Sequence, residues 1–306
     1  MKIAFMFPGQ GAQYVGMGRD FYENYPGAGA VFDMAGQAAG FDVRRVCFEE
    51  NDDINRTEYT QAAMLATECA ILEVVQNMGI KADTALGLSL GEYGALVAAG
   101  VLNAYDAISI VRQRGILMEQ AVPAGQGTMA AVLGADSELV ENVLAECSGT
   151  VNIANYNCPG QLVISGETYA VRAASEALKS AGIKRVVELN VSGPFHSPLL
   201  EQAGEKLGSV LDNYTFNRPA IPYVANVTAD YVTDEPQVKE LLMKQVSSSV
   251  RFEQSVRRLI GDGTDTFIEI GPGHTLSSFV KKTDRSVNII NIEKTEDLKK
   301  LEVLNA

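Results

Sequence analysis

The chain has 306 residues, 46% of them apolar, enough for one large or two modest domains with ample core. Its formal charge of −13 argues against a nucleic-acid protein, which needs a basic footprint, yet leaves room for an anionic ligand held by a local cluster. Cys47, Cys69, Cys147 and Cys158 show no C-x-x-C spacing and no grouping with histidine, so reduced thiols in a cytoplasmic protein are expected, with no metal site. Along the chain, Lys2–Phe7 reads as a strand, with no charged leader, cleavage site or apolar run of ~18 residues around it, so neither secretion nor membrane insertion is expected. The loop that follows, Phe7 to Gln13, is glycine-rich but lacks the G-x-G-x-x-G order and the Lys-Ser/Thr of a phosphate loop, so a nucleotide site is not expected there. A helix over Thr60–Met78 presents Met64, Ile71, Val74, Val75 and Met78 on one face and stops at Gly79.

Next come a strand, Ala82–Leu88, and a short helix, Glu92–Ala99, closed by Gly100. Ser89 lies on the sharp turn between them, flanked by Gly87 and Gly91, which is the G-x-S-x-G arrangement of a nucleophile elbow. A serine hydroxyl is a poor nucleophile until a base takes its proton, and histidine is the usual base. The chain has two histidines, His196 and His274, so one of them is the candidate. Helix Tyr105–Gln120 carries Arg112 and Arg114 among Ile108, Val111 and Leu117. From Gly125 the pattern changes to strand Thr128–Leu133, helix Asp136–Cys147, strands Val151–Asn155 and Gln161–Ser165, helix Thr168–Ala181 and strand Lys184–Asn190. That β-α-β-β-α-β order is ferredoxin-like and reads as a subdomain interrupting a larger α/β layer. The layer resumes after residue 193, with strands near Ile221–Asn226 and Asp265–Ile270 and mostly helical residues at 236–260 and 275–283. The mixed charges of Glu293–Lys300 read as a solvated helix face.

Four motifs occur in order: Pro8-Gly-Gln-Gly-Ala-Gln13, Gly87-Leu-Ser-Leu-Gly-Glu92, Arg114-Gly, and Gly193-Pro-Phe-His-Ser-Pro198, with Glu269-Ile-Gly-Pro-Gly273 late in the chain. Together they resemble the malonyl-CoA:acyl carrier protein transacylases and the related acyltransferase domains of polyketide synthases, over essentially the full length. The resemblance implies an α/β-hydrolase-like core of residues 1–124 and 194–306 and a ferredoxin-like subdomain of residues 125–193. It implies Ser89 as nucleophile, His196 as base, main-chain N–H groups of Gln10 and Leu90 as oxyanion hole, and Arg114 as the clamp for a free carboxylate. Arginine's planar fork suits a carboxylate through two parallel hydrogen bonds.

The same resemblance assigns the main-chain carbonyl of Arg251 to orienting His196, and Phe195, Asn155 and Asn157 to the substrate cleft. It assigns Lys184 and Arg185 to the phosphates of coenzyme A or to the carrier protein. Leu88 replaces the histidine usual before the nucleophile, and Ser248-Ser-Val-Arg251 stands where many relatives have Asn-Pro-Val-Gln. The implied reaction is ping-pong malonyl transfer through a Ser89 ester in fatty acid biosynthesis. Malonyl-CoA and acyl carrier protein are then the partners of a monomer that needs no cofactor. A trans-acting polyketide acyltransferase is the near alternative. A serine esterase is the alternative of another class: its Ser…Asp/Glu…His order would use His274, preceded by Asp262 and Asp265.

Overall fold

Ten strands run through residues 1–304, the part of the chain that this computed structural model describes. They are β1 (Ile3–Phe7), β2 (Thr84–Gly87), β3 (Gly127–Leu133), β4 (Val151–Cys158), β5 (Gln161–Glu167), β6 (Arg185–Glu188), β7 (Tyr223–Val224), β8 (Tyr231–Val232), β9 (Thr266–Ile270) and β10 (Asn288–Ile292). Six of them form one sheet in the order β10-β9-β1-β2-β7-β8. All its pairings are parallel except the last, between β7 and β8. Parallel sheets are covered on both faces, which is why β1 and β9 are buried at every position. Helix Thr57–Asn77 lies buried along most of its length, and with helix Ala104–Gln120 it belongs to the core on one face. The other face is closed by Phe252, Val256, Leu259, Leu276 and Phe279 from two later helices.

The other four strands form an antiparallel sheet in the order β4-β5-β3-β6. Helices Ser137–Ala145 and Thr168–Ser180 give it a core of its own, built on Val132, Val140, Ile164, Val171 and Leu178. Because β3 and β6 pair antiparallel, with Ala130 opposite Glu188, the chain leaves the large sheet and returns to it at nearly one place. Main-chain bonds also tie the smaller sheet to the segment around Val250, which packs on the large sheet: Tyr156 N donates to Val250 O at 2.9 Å, and Val250 N donates to Ala154 O at 2.8 Å.

The sequence reading of a mixed α/β fold holds, with three local differences. Residues 236–260 hold two helices, Val238–Gln245 and Phe252–Gly261, separated by a turn and the bridge residue Val250. The chain also forms helices Pro26–Ala39 and Glu201–Leu211 and the edge strand β10, which the sequence reading leaves unassigned. The C-terminal segment is a 3-10 helix, Thr295–Leu304, that buries Leu298 and Leu301 against the large core, so it is more than a solvated face.

Candidate active site

β2 ends at Gly87, the next helix begins at Gly91, and Ser89 sits between them with φ 54°. A left-handed backbone is unfavourable for a residue with a Cβ, so the neighbours must hold it. A methyl at Gly91 would collide with the Phe7 carbonyl, and one at Gly87 with Gly91, so the turn closes only with glycine at both places. Asn226, just beyond β7, clamps the turn: Ser89 N donates to its Oδ1 at 2.7 Å, and its Nδ2 donates to Gly87 O at 2.6 Å. Gln245 Nε2 donates to Ser89 O at 2.9 Å.

His196 also has a positive φ, 58°, in the irregular segment after β6. Its Nε2 lies 2.6 Å from Ser89 Oγ, and its Nδ1 lies 2.8 Å from the main-chain oxygen of Gln245. A carbonyl can only accept, so Nδ1 carries the ring proton and Nε2 is free to take one from the serine. This corrects the assignment of Arg251. The Arg251 carbonyl already accepts from Ser255 N at 3.0 Å and Ser255 Oγ at 2.8 Å, and its guanidinium lies over the Tyr156 ring. Gln245 is the last residue of its helix, where carbonyls have no partner within the helix, so its oxygen is the one left to hold the imidazole. Burial, then the nearby Arg114 cation, push the His196 pKa down to about 4, against the opposing pull of main-chain groups at Gln245 and Ser248. The imidazole is therefore neutral near pH ~7, as a general base must be.

Arg114 is fully buried. Its Nη1 donates to Gln61 Oε1 at 2.8 Å, and its Nη2 donates to Gln245 Oε1 at 2.9 Å and to Ser89 Oγ at 3.2 Å. Its Nε has no partner, and no carboxylate stands within ion-pair distance among the described residues. Glu92, buried one turn past Ser89, accepts from Gln245 Nε2 at 2.6 Å and from Asn226 N at 3.1 Å. Gln61, Glu92, Asn226 and Gln245 are the site residues that sequence reasoning missed. Only Glu92 stood inside a motif, and the others are amides with no distinctive spacing.

A cavity of about 600 Å³ opens between the two sheets, lined by Gln10, Ser89, Asn155, Asn157, Phe195 and His196, among others. The main-chain N–H groups of Gln10 and Leu90 make no hydrogen bond within the described chain, which leaves both free to donate beside Ser89. Leu88 packs against the second core and also lines the cavity, so apolar contact replaces any polar role at that position. Lys184 and Arg185 are exposed at the start of β6, outside the cavity lining. His274 is exposed ahead of helix Thr275–Thr283 and does not line the cavity either, while Asp262 pairs with Arg258 and Asp265 with the N-terminus. The esterase constellation is therefore not assembled around Ser89.

The profile of the acyl transferase domain family matches residues 4–304. The malonyl CoA-acyl carrier protein transacylase of Bacillus subtilis (strain 168) is 46% identical over 97% of this chain and 95% of its own length. A crystal structure of the malonyl CoA-acyl carrier protein transacylase from Clostridium perfringens superposes with a TM-score of 0.96 at 41% identity, covering 100% of this chain and 98% of that one. Another solved structure, a malonyl-transacylase in complex with a type II polyketide acyl-carrier protein, superposes with a TM-score of 0.96 at 35% identity over 100% of both chains. These matches define the class as an acyltransferase, with which the serine–histidine pair is consistent. The chain belongs to the acyl transferase family, and within it to the malonyl CoA-acyl carrier protein transacylases.

Proposed function

We propose that the chain transfers the malonyl group from malonyl-CoA to the phosphopantetheine thiol of an acyl carrier protein, in fatty acid biosynthesis, with Ser89, His196 and Arg114 in the leading roles. The observation that carries this reading is the meeting of three groups at one oxygen: Ser89 Oγ lies 2.6 Å from His196 Nε2 and 3.2 Å from Arg114 Nη2. His196 takes the hydroxyl proton as Oγ attacks the thioester carbon. The N–H groups of Gln10 and Leu90 receive the developing oxyanion, where donors fixed in advance stabilise charge without reorganisation. The protonated imidazole then gives its proton to the departing thiolate, leaving malonyl-Ser89 and free coenzyme A. In the second half the pantetheine thiol attacks the ester, and His196 again removes the proton and later returns it to Ser89.

A malonyl ester on Ser89 has its free carboxylate only a few bonds from Oγ. A guanidinium beside that oxygen can therefore read it through charged hydrogen bonds, each contributing ~1.5–3 kcal/mol. Asn155, Asn157 and Phe195 line the space beside the acyl group, and Phe195 would crowd an α-branched one. Lys184 and Arg185 offer positive charge to the phosphates or the carrier. None of these steps calls on a cofactor. Residues 125–193 act as a ferredoxin-like subdomain set into an α/β-hydrolase-like core of residues 1–124 and 194–306. Support for that division comes from the separate cores and the antiparallel β4-β5-β3-β6 order.

Intact mass after brief incubation with malonyl-CoA tests the reading. A malonyl-sized increment mapping to Ser89, discharged by a carrier thiol, is the expected result. Free malonate with no adduct would instead point to hydrolysis. Side by side, Arg114→Ala should weaken malonyl transfer by roughly 10–150-fold and raise acetyl transfer relative to it.

A further inference from the structure

Arg114 is a buried cation whose hydrogen bonds go to two glutamines and a serine, all neutral. A buried charge is costly unless it is balanced. One chain of hydrogen bonds leads from it to a carboxyl group: Arg114 Nη2 donates to Gln245 Oε1 at 2.9 Å, and Gln245 Nε2 donates to Glu92 Oε2 at 2.6 Å. Glu92 is 0% exposed, and its other oxygen, Oε1, is buried with no partner. One carboxyl oxygen is thus engaged as an acceptor, while the other has no donor facing it and is free to carry a proton. We propose that Glu92 is the resting counter-ion of Arg114, and that it takes up a proton from solvent when a carboxylate-bearing acyl group is seated on Ser89. The inference rests on the reading that Arg114 binds the malonyl carboxylate.

With the site empty, one guanidinium faces one carboxylate through Gln245. A malonyl carboxylate against Arg114 makes two anions around a single cation in a dry site, and neutralising Glu92 restores the balance. An acetyl group brings no charge and leaves Glu92 as it was. Burial raises the Glu92 pKa to about 7, against its hydrogen bonds from Gln245 and Asn226 and the attraction of Arg114, so the proton is exchangeable in the working range. The other titratable or charged groups around it are Arg114, Tyr93 on its own helix, Tyr223 on β7 and, beyond Gln245, His196. Burial holds both phenols above their usual range, and His196 stays neutral down to about 4, so Glu92 is the group of this set that titrates near neutrality. Glu92 is accordingly a positioning and specificity-determining residue that acts on substrate through Gln245 and Arg114.

The test is kcat/KM for malonyl-CoA and acetyl-CoA from pH ~6 to ~9, with wild type, Glu92→Gln and Arg114→Ala. Taking the ratio of the two substrates cancels the shared chemistry of Ser89 and His196. In wild type the malonyl-to-acetyl ratio should fall as pH rises through about 7, because an ionised Glu92 competes for Arg114. Glu92→Gln should flatten that dependence and hold the ratio roughly fivefold or more above wild type at the alkaline end, the low end of ordinary site-to-site coupling. A flat wild-type profile, or a Glu92→Gln profile that still falls, overturns the proposal while leaving Arg114 as the reader of the carboxylate. An Arg114→Ala ratio equal to wild type overturns the underlying reading instead. A second measurement needs no variant. At pH ~8 the malonylation of wild-type protein, followed with an indicator dye in weak buffer, should consume protons beyond those accounted for by the coenzyme A thiol released. No excess uptake would sink the proposal even if Glu92→Gln failed to fold.

Discussion

At Ser89 the positive φ costs ~1–3 kcal/mol for a residue of this kind, and it aims the hydroxyl out of the turn toward His196. The work of that histidine depends on its ring being neutral and correctly protonated, and both follow from burial and from the Gln245 oxygen. Replacing His196 by Ala should lower malonyl transfer by at least the ~10²-fold of a lost general base, while His274→Ala leaves it largely intact. Steady-state assays of both variants decide it, and the opposite pattern would restore the esterase reading. The pH dependence has a definite sign. Acid protonates the base, so acylation of Ser89 should hold from neutrality downward and fall only as pH approaches about 4, rather than breaking at the ordinary histidine value of 6.5. The unfolded chain binds that proton at 6.5 and the folded one at about 4, so stability should also decline between those values, by ~1.4 kcal/mol per pH unit for this one group. Urea titrations across that window check the second effect independently of activity. Ser89, His196 and Arg114 were legible in the sequence because each is a rare or chemically distinctive residue inside a recognisable motif. Gln245 was not, since a glutamine near a helix end carries no signature. The base-orienting carbonyl was accordingly misplaced by six positions, onto Arg251.

Among the elements, the most informative stretch is 236–260, which is mostly helical as expected but interrupted. Two helix-forming runs flank Ser247-Ser248-Ser249, a weak point for a helix, and the chain breaks there, after Gln245. The break has a tertiary cause that no local periodicity encodes: Val250 must pair with β4. It also has a chemical result, because the interruption exposes the Gln245 oxygen to His196. By contrast, the strand–turn–helix around Ser89 was readable to within about two residues, since glycine on both sides and an apolar strand before it are local signals. The missing partner there was Asn226, which lies 137 residues from Ser89 in sequence. Its amide fills both a donor and an acceptor need of the strained turn. Asn226→Ala should therefore destabilise the fold by ~1–3 kcal/mol, the cost of leaving buried polar groups unpaired, and slow acylation of Ser89. Denaturant unfolding together with single-turnover acylation reads both, and a variant with wild-type stability would show the clamp to be dispensable.

For the molecule as a whole, no helix among the described residues is long and apolar enough to cross a membrane. The net charge of −13 coexists with an exposed basic pair, Lys184 and Arg185, at the edge of the smaller sheet. Local charge of that kind steers an anionic partner only within about a Debye length, ~8–10 Å at physiological salt. Reversing both charges should raise KM for the coenzyme A ester or the carrier, mainly at low ionic strength. Unchanged constants under those conditions would leave the pair a solvated feature. The element order of the smaller sheet was legible because β-α-β-β-α-β breaks the surrounding pattern cleanly, whereas the way the two sheets meet was not, being set by contacts between distant segments.

One of those contacts behaves like a door hinge with the latch mounted on it. The two main-chain bonds between β4 and Val250 pin the smaller sheet to the segment that begins five residues after Gln245. Any rocking of that sheet to admit a long pantetheine arm must pivot about this seam, because separating it would strand buried amides. The same seam leads into the carbonyl that sets the tilt of the imidazole, so widening the entrance pulls on the base. Access and reactivity are then expected to be coupled, since displacing this seam should disturb the alignment of the imidazole. Amide hydrogen exchange reports on this directly. The N–H groups of Tyr156 and Val250 should exchange as slowly as those of β1, and exchange as fast as a surface loop would mean that the entrance and the base move independently.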